Sequence, residues 1–306
     1  SVNIAASNVT VEGFEITNPV QAATRTNLVS LLPGGVSIDG TNVWLQFCYI
    51  HDCGNLGIGL WNDDQYGTKL VGNIIERVGL FDTEFGFNAW RASGLYLQGR
   101  FGKPLVKGNI VGRQSTTTMK AYAQGGYADG FQFTNNIGYL SADQGFEFES
   151  FTYPQTGIVV ASNVMFRTFF NRVGIYPTVT NGQDIVFDGN YFVSQQQPAL
   201  AMKKDWVSLR WINNTIVSPD RTYYWGGPPE MMRVFDSGGY SSILQLSNNT
   251  YYGGQIGASP NKGWIRNDTN YSFAQWQSGG LDTSSTFTTN LPTSNVVFFF
   301  PFSERR

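Results

Sequence analysis

Leu70-Val-Gly-Asn73-Ile-Ile75 is the first full copy of the pattern that decides the fold: an apolar residue, two variable residues, an asparagine and two apolar residues. The pattern returns with small variations along most of the chain. The steps between its asparagines are 36, 27, 27, 27, 24 and 35 residues, and three equal steps in succession indicate a structural repeat. The asparagines are Asn73, Asn109, Asn136, Asn163, Asn190, Asn214 and Asn249.

Two earlier segments keep the same register, with Phe14 and Cys48 in place of the asparagine. Each repeat is too short for a strand–helix–strand unit, and it carries two or three short alternating apolar runs separated by Gly, Asn or Asp. Such a repeat buries its apolar face only against the next repeat. The sequence therefore predicts an all-β, right-handed parallel β-helix of about nine coils, roughly 43 Å long at about 4.8 Å per coil.

The repeated asparagine belongs at a bend, where its side chain tolerates unusual backbone angles and bonds its neighbours in the coils above and below. We interpret this ladder as structural rather than catalytic. The two longest steps predict inserted loops at about 79–93 and 219–239. Loops on a rigid solenoid are frequent binding sites.

Composition excludes several classes of function. A formal net charge of −2 gives no bulk attraction for nucleic acid, and no apolar run reaches the length of a membrane span. Cys48 and Cys53 are too close in sequence to bridge without a fold-back, and we expect both to be buried thiols.

The C-terminal segment departs from the repeat. Ser272 and Gln275 have the spacing of a capping box, which predicts a short helix ended by Gly279-Gly280. A last apolar strand, 296–300, needs a partner. We therefore predict a β-helix over 1–270 and a cap over 271–306, with the abrupt chain ends indicating a piece of a longer protein.

The run Gly94-Leu-Tyr-Leu-Gln-Gly-Arg-Phe-Gly102, together with Ser272-Phe-Ala-Gln-Trp276, resembles secreted bacterial proteins with right-handed parallel β-helix repeats, in the pectin-lyase-like superfamily. The resemblance implies the fold, and it implies polysaccharide lyases, glycoside hydrolases and tailspikes as functional classes. Ala128-Asp129-Gly-Phe131 and Asp143-Gln-Gly-Phe-Glu147 are similar to calcium-binding segments of one pectate lyase family, although Gln144 and Glu147 replace aspartates there.

A second strand precedes the asparagine in most coils, and its alternation predicts an outer face. The predicted inward pairs are Ile58/Leu60, Leu95/Leu97, Ala121/Ala123, Phe146/Phe148, Val173/Ile175 and Leu200/Met202. The outward side chains then mix aromatic platforms with charged groups, which suits a polysaccharide. The expected substrate-binding residues are Trp61, Tyr96, Lys120, Tyr122 and Tyr176.

Two chemistries fit this face. Glu147 and Glu149 lie two residues apart on one strand, about 6.5 to 7 Å between Cα atoms, which matches the carboxyl separation of an inverting glycosidase. The alternative is β-elimination with Lys203, Lys120 or Arg172 as the base. It would use Ca²⁺ held by Asp129, Asp143 and Glu147, whereas hydrolysis requires no cofactor. His51, the only histidine, is predicted to be a corner residue.

The sequence thus favours an extracellular or cell-surface protein that binds a polysaccharide and degrades it as a lyase or glycoside hydrolase. The alternative is a non-catalytic, structural or adhesive solenoid. It would form a homo-oligomer, filament or fibre through its coil ends and terminal strand.

Overall fold

The computed structural model describes residues 2–18, 34–61, 65–79, 93–98, 101–114, 117–122, 128–141, 145–149, 157–168, 174–176, 185–194, 200–202, 208–218, 231–234, 244–253 and 263–290. These residues form a parallel β-helix with three long sheets, A, B and C, which confirms the predicted fold class. In each coil, the strand of sheet A is followed by those of sheets B and C. We number the coils 1 to 9 by the ladder positions Phe14, Cys48, Asn73, Asn109, Asn136, Asn163, Asn190, Asn214 and Asn249.

Sheet A has eleven strands, and sheet B has nine, one per coil, as the repeat predicts. Their strands pair in parallel, except for the last two of sheet A, which are antiparallel. The strands of sheet A are Val2–Ile4, Val36–Ile38, Ile58–Leu60, Leu95–Gln98, Met119–Tyr122, Phe146–Glu149, Gly174–Tyr176, Leu200–Met202, Met232–Val234, Trp264–Arg266 and Thr269–Tyr271. The strands of sheet B are Thr10–Glu12, Trp44–Gln46, Lys69–Val71, Leu105–Lys107, Gln132–Thr134, Ile158–Ala161, Ile185–Asp188, Leu209–Ile212 and Leu244–Ser247.

Sheet C follows the ladder position and has ten strands. A small three-stranded sheet lies between sheets A and B in coils 3 to 5. The strands of sheet C are Glu15–Asn18, Tyr49–Cys53, Ile74–Val78, Ile110–Gln114, Ile137–Ser141, Val164–Thr168, Tyr191–Ser194, Thr215–Ser218, Thr250–Gly253 and Thr286–Thr288. Those of the small sheet are Gln65–Tyr66, Phe101–Gly102 and Ala128–Asp129.

The asparagine ladder runs through the interior between sheets B and C. From Asn109 to Asn214, each ladder side chain accepts two bonds from the preceding asparagine and donates to the next. Asn109 donates from its backbone N and its Nδ2 to Asn136 Oδ1, at 2.9 and 3.0 Å. Asn136 Nδ2 also donates to the Val106 carbonyl, at 3.0 Å. All seven ladder asparagines are buried, so these bonds satisfy polar groups that water does not reach. The predicted ladder is confirmed.

The core inside the coils is apolar, and a row of aromatic side chains runs through it, with phenylalanines followed by Trp211. Stacked and edge-to-face rings continue from Phe133 and Phe146 through Phe192 to Trp211. Cys48 and Cys53 are buried free thiols, as predicted. Burial raises the pKa of Cys53 to about 11.

The C-terminal cap begins with the helix Phe273–Ser278. Ser272 accepts a bond from the Gln275 backbone and Gln275 bonds back to Ser272, so the predicted capping box is confirmed. Sheet C gains its last strand, Thr286–Thr288, after this helix and beyond residue 270. Within the described residues no helix is long and apolar enough to cross a membrane. The predicted strand 296–300 lies outside the described residues.

The two predicted insertions differ in what the structure describes. Residues 80–92, most of the first, lie outside the described residues. The second, 219–239, contains the sheet A strand Met232–Val234, which pairs with Leu200–Met202. That segment is therefore not a loop throughout, because it supplies the sheet A strand of coil 9.

Candidate functional site

The outer face of sheet A in coils 3 to 6 brings together the residues that the sequence pattern selects. Leu95, Met119 and Phe146 pair in register and are buried in the core. The next residue of each strand is Tyr96, Lys120 or Glu147, and these three occupy one column across the coils. A second column, two residues further along the strands, contains Gln98, Tyr122, Glu149 and Tyr176.

The register differs from the prediction in coil 5. The inward pair there is Met119 and Ala121, whereas the alternation predicted Ala121 and Ala123. A shift of two residues keeps Lys120 and Tyr122 on the outer face, because the side-chain period of a strand is two. It moves Lys120 level with Tyr96 and Glu147, and thus creates the central contact of the site.

Lys120 and Glu147 form a buried ion pair. Lys120 Nζ lies 3.3 Å from Glu147 Oε2, and each side chain is 7% exposed. Thr117 Oγ1 donates to the same carboxylate oxygen, at 3.0 Å. Two charges withdrawn from water are tolerated when they are paired and hydrogen-bonded, so the lysine and the threonine hold the Glu147 carboxylate in one position.

Trp61 forms an aromatic platform beside this pair. A Cβ atom at Gly59 would lie 2.6 to 3.1 Å from three atoms of the Trp61 indole, so the ring lies across the glycine. Gly59 pairs with Tyr96 in the next coil. The centres of the Trp61 and Tyr96 rings are 5.3 Å apart, at an interplanar angle of 35°. Tyr96 is buried, whereas Trp61 is partly exposed. A glycine in the outward position is what lets the indole lie against the sheet.

The other predicted site residues are distributed as follows. Tyr122, Glu149 and Tyr176 lie in one column of the sheet A register. Asp129 lies in the small sheet and pairs with Gly102. Asp143, Arg172 and Lys203 lie outside the described residues.

The predicted calcium site involves Asp143, which lies outside the described residues. Asp129 belongs to the small sheet and Glu147 to sheet A. Among the described residues, no group of three His, Cys, Asp or Glu side chains could hold a metal ion. The Glu147 carboxylate is instead bonded to Lys120 and Thr117. Calcium binding stays a prediction that depends on Asp143.

A second polar cluster, which the sequence analysis did not identify, lies on the outer face of sheet C. His51 lies inside the strand Tyr49–Cys53 rather than at the predicted corner. Its Nδ1 is 2.5 Å from Asp52 Oδ2 and its Nε2 is 3.0 Å from Glu15 Oε1 in coil 1. Arg77 of coil 3 donates two bonds to Asp52, at 2.6 and 2.8 Å. These bonds lower the pKa of Asp52 to about 2 and connect three consecutive coils.

The same cluster extends to coil 5 through a buried carboxylate. Glu76 accepts bonds from Tyr139 Oη, from Tyr49 Oη at 3.3 Å and from Arg77 at 3.3 Å. Tyr139 reaches Glu76 across Gly112, where any Cβ would overlap its ring. Burial is the main cause that raises the pKa of Tyr139, and the bond to Glu76 raises it further. Because the charges satisfy one another, we interpret the cluster as a clamp between coils.

The sheet C cluster has a signal in the sequence. Its residues lie three and four positions after the ladder residue in successive coils, as His51-Asp52, Glu76-Arg77 and Gly112-Arg113. Such an alignment of charged residues in one column predicts a polar stripe, although not its bonds.

No protein-family model matches the chain, and no curated protein sequence matches it significantly. The chain is similar to the crystal structure of DFA-IIIase from Arthrobacter chlorophenolicus A6 in complex with DFA-III, with 11% identity and a TM-score of 0.41, over 95% of this chain and 66% of that chain. A second crystal structure of DFA-IIIase from the same organism has 10% identity and a TM-score of 0.38, over 92% of this chain and 63% of that chain. The chain thus spans somewhat less than two thirds of the length of that protein, and the likeness concerns the fold alone.

Proposed function

We propose that this protein is an extracellular carbohydrate-binding β-helix that binds a polysaccharide along the outer face of sheet A. The observation that carries the proposal is the partly exposed Trp61 indole, which lies against Gly59 and beside the Tyr96 ring. In the same outward column the fixed Lys120–Glu147 pair follows, one and two coils beyond Tyr96.

The chemistry of a sugar matches this arrangement. A sugar ring has apolar C–H faces, which stack on an aromatic plane, and hydroxyl groups, which bond to charged and polar side chains. The column repeats at the interstrand spacing of about 4.8 Å, so an extended glycan lying along the solenoid axis would stack on the Trp61 platform and then pass over the buried Lys120–Glu147 pair. The pair fixes the surface beneath the glycan, because its side chains are already held in one arrangement before binding.

Affinity electrophoresis against soluble polysaccharides tests the binding. The panel contains xylan, β-glucan, galactan, polygalacturonate and alginate. Trp61→Ala is expected to lower the affinity for the bound glycan, which is measured from the retardation, by about tenfold or more. Truncation of an aromatic residue at a binding hot spot has an effect of this size. Tyr252→Ala is the matched control, because Tyr252 is a partly exposed aromatic residue on sheet C in coil 9. Equal effects of the two substitutions, with unchanged melting temperatures, would contradict binding on sheet A.

We propose glycoside hydrolysis as the chemistry of the same face. Glu147 and Glu149 lie on one strand with their Cα atoms about 6.5 to 7 Å apart, which is compatible with an acid and a base that flank a water. β-Elimination by Lys203, Lys120 or Arg172 is the second chemistry, and it would require Ca²⁺ at Asp129, Asp143 and Glu147.

Product analysis separates the two chemistries. Hydrolysis releases reducing ends alone, whereas elimination also gives an unsaturated product that absorbs in the ultraviolet. Glu149→Gln is expected to abolish hydrolysis, and Lys203→Ala to leave it intact. Glu147→Gln requires a parallel melting curve, because the substitution leaves Lys120 buried without its carboxylate partner. If the glycan that binds yields no product, the protein is a binding module.

The alternative function is a non-catalytic, structural or adhesive solenoid that assembles through its coil ends. Sedimentation and electron microscopy of the purified chain distinguish it. A monomer that binds glycan would exclude an obligate fibre, whereas trimers or filaments without glycan affinity would replace the proposed function.

A further inference from the structure

Phe47 differs in residue type from the residues at the same backbone position in the other eight coils. The residue before each ladder position has a positive φ in all nine coils, which is the left-handed region. Bulky residues are disfavoured there, whereas glycine and asparagine are tolerated. Phe47 adopts this conformation with φ 53°. The other eight residues are small or polar: Gly13, Gly72, Gly108, Asn135, Ser162, Gly189, Asn213 and Asn248.

Burial does not compensate for this backbone strain. The Phe47 side chain is 58% exposed, although core burial is the usual reason to retain a phenylalanine. Its ring lies on the next coil, because a Cβ atom at Gly72 would be 2.6 Å from the ring. The Phe47 ring therefore contacts coil 3, and the side chain remains largely open to solvent. Strain that persists without a gain in packing is a mark of functional positions.

A second aromatic side chain is exposed beside Phe47. Trp44 of the preceding sheet B strand is 37% exposed and lies three residues before Phe47, within about 10 Å along the chain. Tyr66, in the small sheet of coil 3, is 45% exposed, and its ring lies on Gly102 as that of Phe47 lies on Gly72. We call Trp44 and Phe47 the sheet B platform.

Polar groups separate these rings. Lys69 Nζ lies 3.7 Å above the centre of the Trp44 ring, and Gln46 Nε2 donates to Glu12 Oε2 at 3.0 Å beside Phe47. A protein partner would favour a continuous apolar patch, whereas single rings alternating with an ammonium, an amide and a carboxylate fit a ligand with both apolar faces and hydroxyls. Carbohydrate is the ligand class that combines the two.

We propose that the sheet B platform is a second carbohydrate-binding site, separate from the face of sheet A. Sugar rings stack on Phe47 and Trp44, and the sugar hydroxyls bond to Lys69, Gln46 and Glu12. The site is on a different sheet from Trp61, so the two sites are tested independently. It explains why the left-handed position of coil 2 holds a phenylalanine.

Phe47→Asn tests the proposal, because asparagine occupies the same left-handed position in coils 5, 8 and 9. Its melting temperature is expected to equal or exceed that of the wild type, since the strain is relieved. Its affinity for the bound polysaccharide of the panel is expected to fall by about tenfold. Trp44→Ala is expected to cause the same loss on the same glycan. Because Trp61 contacts the glycan at a separate site, Trp61→Ala combined with Phe47→Asn is expected to lower the affinity further than either substitution alone.

Each outcome decides the matter. A lower melting temperature for Phe47→Asn, with glycan affinity retained, would show that the ring only stabilises Gly72, and would overturn the second site. If Trp61→Ala alone removes binding, the sheet A function stands and the second site is refuted. If Phe47→Asn and Trp44→Ala remove glycan binding and Trp61→Ala does not, the second site stands and the sheet A function is refuted. If the wild type binds none of the polysaccharides, both proposals are wrong.

Discussion

Asn136→Ala should measure how much one step of the asparagine ladder stabilises the fold. The substitution removes four side-chain hydrogen bonds, namely two accepted from Asn109, one donated to the Val106 carbonyl and one donated to Asn163, all at 2.9 to 3.0 Å. The Asn109 backbone N–H then remains buried without its acceptor. At about 1 kcal/mol for each net bond, the free energy of unfolding falls by about 4 kcal/mol.

The expected change is large enough to measure directly. With about 2.1 cal/mol/K of unfolding entropy per residue, a loss of this size lowers the Tm of the 306-residue chain by about 6 °C. Thermal unfolding followed by circular dichroism, with guanidinium titration as a second method, gives the value. Asn135→Gly is the control, because its side chain is exposed and its φ of 57° suits glycine. A fall of less than about 2 °C, or one no larger than in the control, would refute the additive account of the ladder.

Three further predictions concern ionisable groups. Asp282 ends the ladder by accepting a bond from Asn249 Nδ2, and burial raises the pKa of its carboxyl, so that its charge costs stability at neutral pH. Asp282→Asn should therefore raise Tm at pH 7, and Asp282→Ala should lower it. The opposite order would refute this role. The pKa of Asp52 is about 2 against an ordinary 3.8, so its contribution to folding stability is present above pH 3.8 and is lost as the pH falls through 2. The Tm of Asp52→Asn should therefore depend less steeply on pH in this window than the Tm of the wild type. Parallel curves would contradict the Arg77 clamp. Cys48 and Cys53 are buried, so a thiol reagent should modify neither in the native protein and both in guanidinium. Reaction before unfolding would show that coil 2 opens.

The fold could be predicted from the sequence because the ladder is a local signal. An asparagine at a bend, with apolar neighbours on both sides, specifies the turn, the inward direction and the contact with the next coil at the same time. The cap is similarly local, since Ser272 and Gln275 are three residues apart. Signals of this kind do not depend on how distant segments pack.

The candidate site was less predictable because its register depends on packing. In coil 5 the residues 121 and 123 are both alanine, so neither their size nor their apolar character distinguishes two alignments that differ by two residues. The structure selects Met119 because its side chain reaches into the core between Leu95 and Phe146. Alternation alone gives Tyr96, Lys120 and Glu147 the parity opposite to the core residues Leu95, Met119 and Phe146, but it did not show that Lys120 contacts Glu147.

Glycine on the outer wall offers a better guide to binding surfaces than charge does. Four aromatic rings lie close against a glycine of the wall, in space that a Cβ atom would occupy, namely Trp61 on Gly59, Phe47 on Gly72, Tyr66 on Gly102 and Tyr139 on Gly112. Burial then separates their roles. Tyr139 is buried and bonded to Glu76, so its ring belongs to the clamp between coils. The other three rings remain at least partly exposed, so each offers solvent a surface on which a ligand can stack, whereas a charged side chain in the same column can be satisfied by its neighbours.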